Sequence, residues 1–218
     1  MTSACSRRLY LVRHGVTAWN QTGRMQGQTD VPLGDAGQAQ AARIGARMAC
    51  MALPPEIVWS SDLSRARTTA DAIAQPLGLA VRTLPELREI KFGAWEGLTV
   101  EEIRARGEGE LLANYRLDPF QHRPPGAETL HEVWARMMAA AAIIRAESGV
   151  AERVAIVGHG GSLRVLVCEA LEAPITSMRH LFFDNASLSI LEEQVVPTGM
   201  FRRLLLFNDT LHLEDPPI

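Results

Sequence analysis

The sequence predicts an α/β fold, a three-layer sandwich in which helices flank a mixed, mostly parallel sheet. Three observations lead there. Short β-rich runs, Leu9–Val12, Ile57–Trp59, Val81–Leu84 and Val154–Val157, alternate with longer stretches whose apolar residues recur every three or four positions. The last two β-rich runs, Ser187–Leu191 and Arg203–Phe207, follow one another without a helix between them, which calls for an antiparallel edge. The chain has 218 residues, 47% of them hydrophobic, enough for a sizeable core, and no shift in composition divides it, so 1–218 is expected to form a single domain.

In chain order, the run Leu9–Val12 reads as a buried strand that ends abruptly in Arg13-His14-Gly15. Ala41, Ile44, Met48 and Met51 mark the buried face of a first long helix, for which Gly34 is a weak N-cap. Ile57–Trp59 is the second strand, and Ser64 is the expected N-cap of a helix carrying Arg65 in its first turn. After Val81–Leu84 come Glu86 and Glu89. Residues 93–126, with a helical piece around Glu101–Tyr115, read as an insertion covering one end of the sheet. From Glu128 to Ser148, Leu130, Val133, Trp134, Met137, Met138, Ala141 and Ile144 give an amphipathic helix, with Trp134 and both methionines expected in the core. Val154–Val157 then leads through Gly158-His159-Gly160-Gly161 into the apolar helix Leu163–Leu171. Pro- and Gly-rich stretches at 53–55, 123–126 and 216–217 are turns or a tail.

Charge and cysteine usage restrict function. A formal net charge of −3, with 22 basic and 25 acidic residues interspersed, gives no overall attraction to nucleic acid or an anionic membrane, so affinity for an anion must be local. Cys5, Cys50 and Cys168 are odd in number and far apart, which suits a reducing cytoplasm better than a disulfide framework or a zinc site. The amino terminus lacks an apolar stretch behind its charges, and nowhere do eighteen uninterrupted apolar residues occur, so a cytoplasmic protein without a membrane span is expected.

In open α/β sheets, residues just past the carboxyl ends of strands converge. Here those segments supply Arg13, His14, Arg65, Glu89 and His159, an inventory suited to a phosphoryl group. Guanidinium forks match phosphate oxygens, a neutral imidazole can attack phosphorus, and a protonated carboxyl or second imidazole can give a leaving alkoxide its proton. The glycines at 158, 160 and 161 stand at a helix N-terminus, where amides favour an anion. Taken alone, Arg65 reads equally well as a surface partner of Asp62 or Asp71. His131, His180 and His212 lack metal-ligand spacing and read as structural or surface residues; His122 sits on the expected wall of the site.

Taken jointly, the motifs resemble those of the histidine phosphatase superfamily, also called the phosphoglycerate mutase-like family. L-V-R-H-G-x-T-x-W-N at 11–20, R-x-Q-G-x-x-D-x-P-L at 24–33, S-S-D-L-x-R-A-x-x-T-A at 60–70, L-R-E-I-x-F-G-x-W-E-G at 87–97, P-P-G-x-E-T at 124–129 and G-H-G-G at 158–161 occur in the family's order over nearly the whole chain. The resemblance implies His14 as nucleophile, Arg13, Arg65 and His159 around the phosphate, and Glu89 as proton donor and then base for water. It also implies phosphate and substrate contacts from Thr17, Asn20, Gln26, Gly27 and the Gly160 amide, with no metal and no cofactor. Val16 and Gly34 depart from the residues relatives often carry.

The implied activity is metal-independent hydrolysis of a small phosphorylated metabolite through a phosphohistidine. A phosphoglycerate mutase primed by 2,3-bisphosphoglycerate would use the same residues, and a non-catalytic phosphate-binding module is a third alternative. The antiparallel edge or the alanine-rich helix could support a homodimer.

Overall fold

The structure, a computed structural model, describes residues 6–214. Six strands form one sheet: β1 (Ser6–Arg13), β2 (Ile57–Ser60), β3 (Val81–Thr83), β4 (Arg153–Gly158), β5 (Leu188–Val196) and β6 (Gly199–Asp209). The helices are α1 (Ala18–Gln21), α2 (Asp35–Ala49), α3 (Ser64–Ala74), α4 (Val100–Ala105), α5 (Gly109–Leu117), α6 (Leu130–Glu147) and α7 (Gly160–Ala170). The sheet order is β3-β2-β4-β1-β5-β6. The first four strands in chain order run parallel, β5 is antiparallel to β1, and β6 is antiparallel to β5. This is the mixed, mostly parallel sheet the sequence predicts.

Alternation along the strands assigns the two faces. Tyr10, Val12, Val58, Ala155 and Val157 pack with Ile44 and Met48 of α2 and Ala66, Ala70 and Ile73 of α3. Leu11, Trp59, Val154 and Ile156 point the other way, onto Val133, Met137 and Ile144 of α6 and Leu163 and Val167 of α7. Because successive side chains on a strand face opposite sides, each buried strand needs a helical layer on both faces.

Several elements differ from the sequence expectation. Residues 101–115 form two helices, α4 and α5, split at Gly107, whose φ of +80° is open to glycine but strained for other residues. Their buried residues Ile103 and Leu112 close over Trp95 in a small separate core. Strands β5 and β6 run well beyond the predicted runs, because charged residues at and beyond the ends of those runs pair across the ladder: Glu193 with Arg202 and Glu192 with Arg203. On α6 the buried positions are Leu130, Val133, Met137, Ala140 and Ile144, a strict 3-4-3-4 stripe. Trp134 falls on its flank, 41% exposed, and donates to Glu169; Met138 is half-buried. A real α6 stripe is narrower than the sequence alone suggested. Cys50 and Cys168 are free, while Cys5 and the expected tail at 216–217 lie outside the described residues.

Candidate active site

β1 and β4 lie side by side with Arg13 in register with Gly158, so both strands end together and deliver His14 and His159 to one point. The rings stand 5.1 Å apart, tilted by 59°. β2 ends beside β4, and its continuation carries Arg65 in the first turn of α3, fully buried. The plainer explanation for Arg65 is excluded by geometry: Asp62 is bound by Nε and Nη2 of Arg88, and Asp71 by Arg67.

Hydrogen bonding fixes both imidazole tautomers. His14 Nδ1 lies 2.7 Å from the Gly15 carbonyl, an acceptor only, so Nδ1 carries the proton and Nε2 keeps its lone pair. Arg65 Nε donates to His159 Nδ1 at 3.3 Å, which leaves the proton of His159 on Nε2. That Nε2 is buried without a protein partner, as is Arg13 Nε. Two orphaned donors and a bare imidazole nitrogen are groups an anion would pair with, since buried donors are otherwise nearly always paired. Burial, reinforced by the charges of Arg13 and Arg65, holds His14 well below the ordinary histidine pKa; burial and then Arg65 do the same to His159. Both rings are therefore neutral near pH 7.

Backbone carbonyls aim the guanidiniums. Arg65 gives Nη1 to Thr29 and Nη2 to Gly27, each at 2.8 Å. With Nε on His159, two of its five N–H groups remain for a ligand. Arg13 donates Nη1 to the Phe183 carbonyl at 2.5 Å. Burial lowers the pKa of both arginines, while the Glu89 carboxylate opposes that shift. Gly27 can present its carbonyl because it sits at φ +55°, and Glu96 pins its loop by accepting from Gln28 N and from Thr29 N and Oγ1.

Glu89 occupies the N-terminus of α7. Its Oε1 accepts the amides of Ile90 and Ser162, and its Oε2 that of Gly161, at 2.8–3.0 Å. Sequence reasoning expected these amides to be offered to the ligand; instead Glu89 takes two of them, because His159 makes no side-chain cap and α7 must be capped from elsewhere. Of the four carboxylate lone pairs only one, on Oε2, is left to carry a proton. Arg136 fixes the segment by donating to the carbonyls of Glu86, Arg88 and Glu89 while paired with Glu128. Ser64 is not a cap: it stands inside α3, and Asp30 accepts from its N–H and hydroxyl.

The remaining expected residues form one wall. Thr17 caps α1 in a reciprocal box with Asn20 and gives its hydroxyl to Gln26 Oε1 at 3.0 Å, which leaves the Gln26 and Asn20 amide groups as donors. Gly160 packs beneath the Arg13 guanidinium, where a Cβ would lie 3.4 Å from Nε. Asn185, missed in the sequence, donates to the carbonyls of His14 and Gly15, and Ala186 N–H reaches the His14 carbonyl. His122 lines a separate hollow with Arg123 and Pro124, whose lining includes none of Arg13, His14, Arg65, Glu89 or His159. Among the described residues no cluster of three or more His, Cys, Asp or Glu side chains suited to a metal occurs, and no helix is long and apolar enough to cross a membrane.

Residues 9–208 match the family described as Histidine phosphatase superfamily (branch 1). The chain belongs to that superfamily. A relative from Erwinia tasmaniensis, named probable phosphoglycerate mutase GpmB, is 36% identical over 213 residues and 95% of each chain. A mycobacterial glucosyl-3-phosphoglycerate phosphatase solved with VO3 superposes with a TM-score of 0.84 at 33% identity, over 94% of this chain and 100% of that one. A putative alpha-ribazole-5'-P phosphatase from Escherichia coli gives a TM-score of 0.81 at 26% identity, over 93% and 96%. The fold is thus that of the phosphoglycerate mutase-like proteins, and the superfamily is one of hydrolases and phosphotransferases.

Proposed function

We propose that the protein is a metal-independent phosphatase that hydrolyses small phosphate monoesters through a phosphohistidine on His14. The supporting observation is a set of unspent groups at adjoining strand ends: the His14 and His159 rings lie 5.1 Å apart, His14 Nε2 keeps its lone pair, and His159 Nε2–H and Arg13 Nε–H are buried without partners. A phosphate seated on those donors and on Arg65, with Gly160 N–H, Asn20, Gln26, Thr17 and Gly27 around it, brings phosphorus to His14 Nε2. The guanidiniums and His159 offset the charge that spreads over the equatorial oxygens during transfer. Glu89, protonated on its free Oε2 lone pair, gives that proton to the departing alkoxide. As carboxylate it then takes one from water attacking the phosphohistidine, which releases inorganic phosphate and restores His14.

One observation favours a second reading, a mutase: the relatives 36% identical to this chain carry the name probable phosphoglycerate mutase. Every residue of the first transfer is shared, so the difference lies in the acceptor, water or a glycerate. Inorganic phosphate release, measured with and without 2,3-bisphosphoglycerate, tests both. Release without the bisphosphate is expected. Isomerisation of phosphoglycerate only in its presence would replace hydrolysis with the mutase reading, and neither activity would overturn both.

A further inference from the structure

His212, in the short turn Leu211–Leu213 after β6, has both ring nitrogens spent. Arg47, in the last turn of α2, gives Nη1 to His212 Nδ1 at 3.0 Å, and an arginine only donates, so the His212 proton is on Nε2. That Nε2–H donates to the Ala186 carbonyl, also at 3.0 Å. The ring therefore offers a ligand neither a lone pair nor a proton. Arg47 Nη2 also bonds Asp209 at 2.6 Å and Arg43 bonds the Leu213 carbonyl at 2.7 Å, which clasps the segment carrying His212 to α2.

Ala186 sits between two pinned peptide groups. His212 holds its carbonyl, while its N–H is shared between the carbonyls of Arg13 and His14, at 3.0 and 3.1 Å. Held so, Ala186 is fully buried at φ +56°, a left-handed conformation that costs an alanine more than a glycine. Such strain persists where the surrounding contacts over-determine it. Asn185, one residue earlier, donates to the carbonyls of His14 and Gly15, and the Gly15 carbonyl is the acceptor that holds the His14 ring through Nδ1. We propose that His212 is a positioning residue for His14: by fixing the Ala186 carbonyl it holds residues 185–186 against the end of β1, and with them the His14 imidazole. The consequence for turnover rests on the phosphatase reading above; the hold on the ring does not.

The test is His212→Phe, which keeps a flat ring and loses the N–H. With p-nitrophenyl phosphate, kcat should fall about tenfold while KM changes less than about threefold, because the ring must be aimed for attack but the phosphate is seated by other groups. His212→Gln, whose amide reaches toward the same carbonyl, should recover most of the loss. So should Ala186→Gly placed in the His212→Phe background, since a glycine holds φ +56° without help. A contact that serves only stability would lower the melting temperature and leave kcat unchanged; unchanged kcat, or a loss that neither change rescues, overturns the inference. A second readout needs no turnover: exchange of the His14 Nδ1–H with solvent, followed by ¹⁵N NMR, should be about tenfold faster in His212→Phe, and an unchanged rate overturns the inference. If the wild type releases no phosphate, the phosphatase reading falls and this exchange rate alone decides the role of His212. Should His212→Phe fail to fold, Arg47→Met, which no longer keeps the His212 proton on Nε2, carries the same expectations for kcat and for exchange.

Discussion

Replacing Gly161 by alanine perturbs Glu89, the proposed proton donor, without changing it chemically. A Cβ built at Gly161 falls inside contact distance of Glu89 Oε1 and 2.8 Å from Ile90 Cδ1. The carboxylate must withdraw by about 1 Å to regain ordinary contact, and doing so breaks its bonds to the Gly161 and Ser162 amides. A displacement of that size costs roughly 10²-fold where the displaced group takes part in the reaction. The loss should depend on the leaving group, because only a poorly acidic alcohol needs the proton. kcat/KM for benzyl phosphate is therefore expected to fall by about 10²-fold in Gly161→Ala, and for p-nitrophenyl phosphate only a few-fold. Equal losses on both esters, or none on either, would refute the assignment of Glu89 as the acid. Glu89→Gln is a less clean probe, since its NH₂ would have to face a backbone N–H that now meets a carboxylate oxygen.

Two further outcomes follow from the same geometry. Arg65→Lys removes the donor that sets the His159 tautomer and leaves the Gly27 and Thr29 carbonyls unpaired, so kcat/KM should drop by about 10²–10³-fold and the melting temperature should fall; wild-type kinetics would contradict the clamp. Stability should also depend on pH through His14, His159 and His212, whose native pKa values are all lowered, chiefly by burial. Above about 6.5, the unfolded value, neither state protonates them and full stability is present. Below it the unfolded chain binds protons that the native state refuses, so stability falls toward the lowered native values, by up to about 1.4 kcal/mol per pH unit for each group. Denaturant titrations between about pH 7 and pH 5 measure this, and a flat profile would contradict the buried, neutral rings.

Much of this site was legible because it is built at strand ends. Arg13-His14 and Gly158-His159 each close an unmistakable apolar run, and parallel neighbours bring such ends together. Arg65 was legible only in company, since one arginine on a helix says nothing about burial. What stayed hidden depends on loops whose paths no periodicity encodes. Glu96 and Asn185 act on backbone groups far away in sequence, by 67 residues for Thr29 and 171 for His14. Asp30 displaced Ser64 as the group serving the start of α3, and Glu89 displaced the ligand from the amides of α7, both through tertiary contacts. Trp134 went astray because an apolar residue one step off a helical stripe looks the same in sequence as one on it.

The proposed phosphoryl transfer turns on one nitrogen, His14 Nε2. Brief incubation with a ³²P-labelled monoester, rapid quench in base and peptide mapping should find one acid-labile, base-stable phosphoryl group on the peptide carrying His14, absent in His14→Ala. Turnover by the wild type with no trapped label under any quench, or label on another residue, would contradict it.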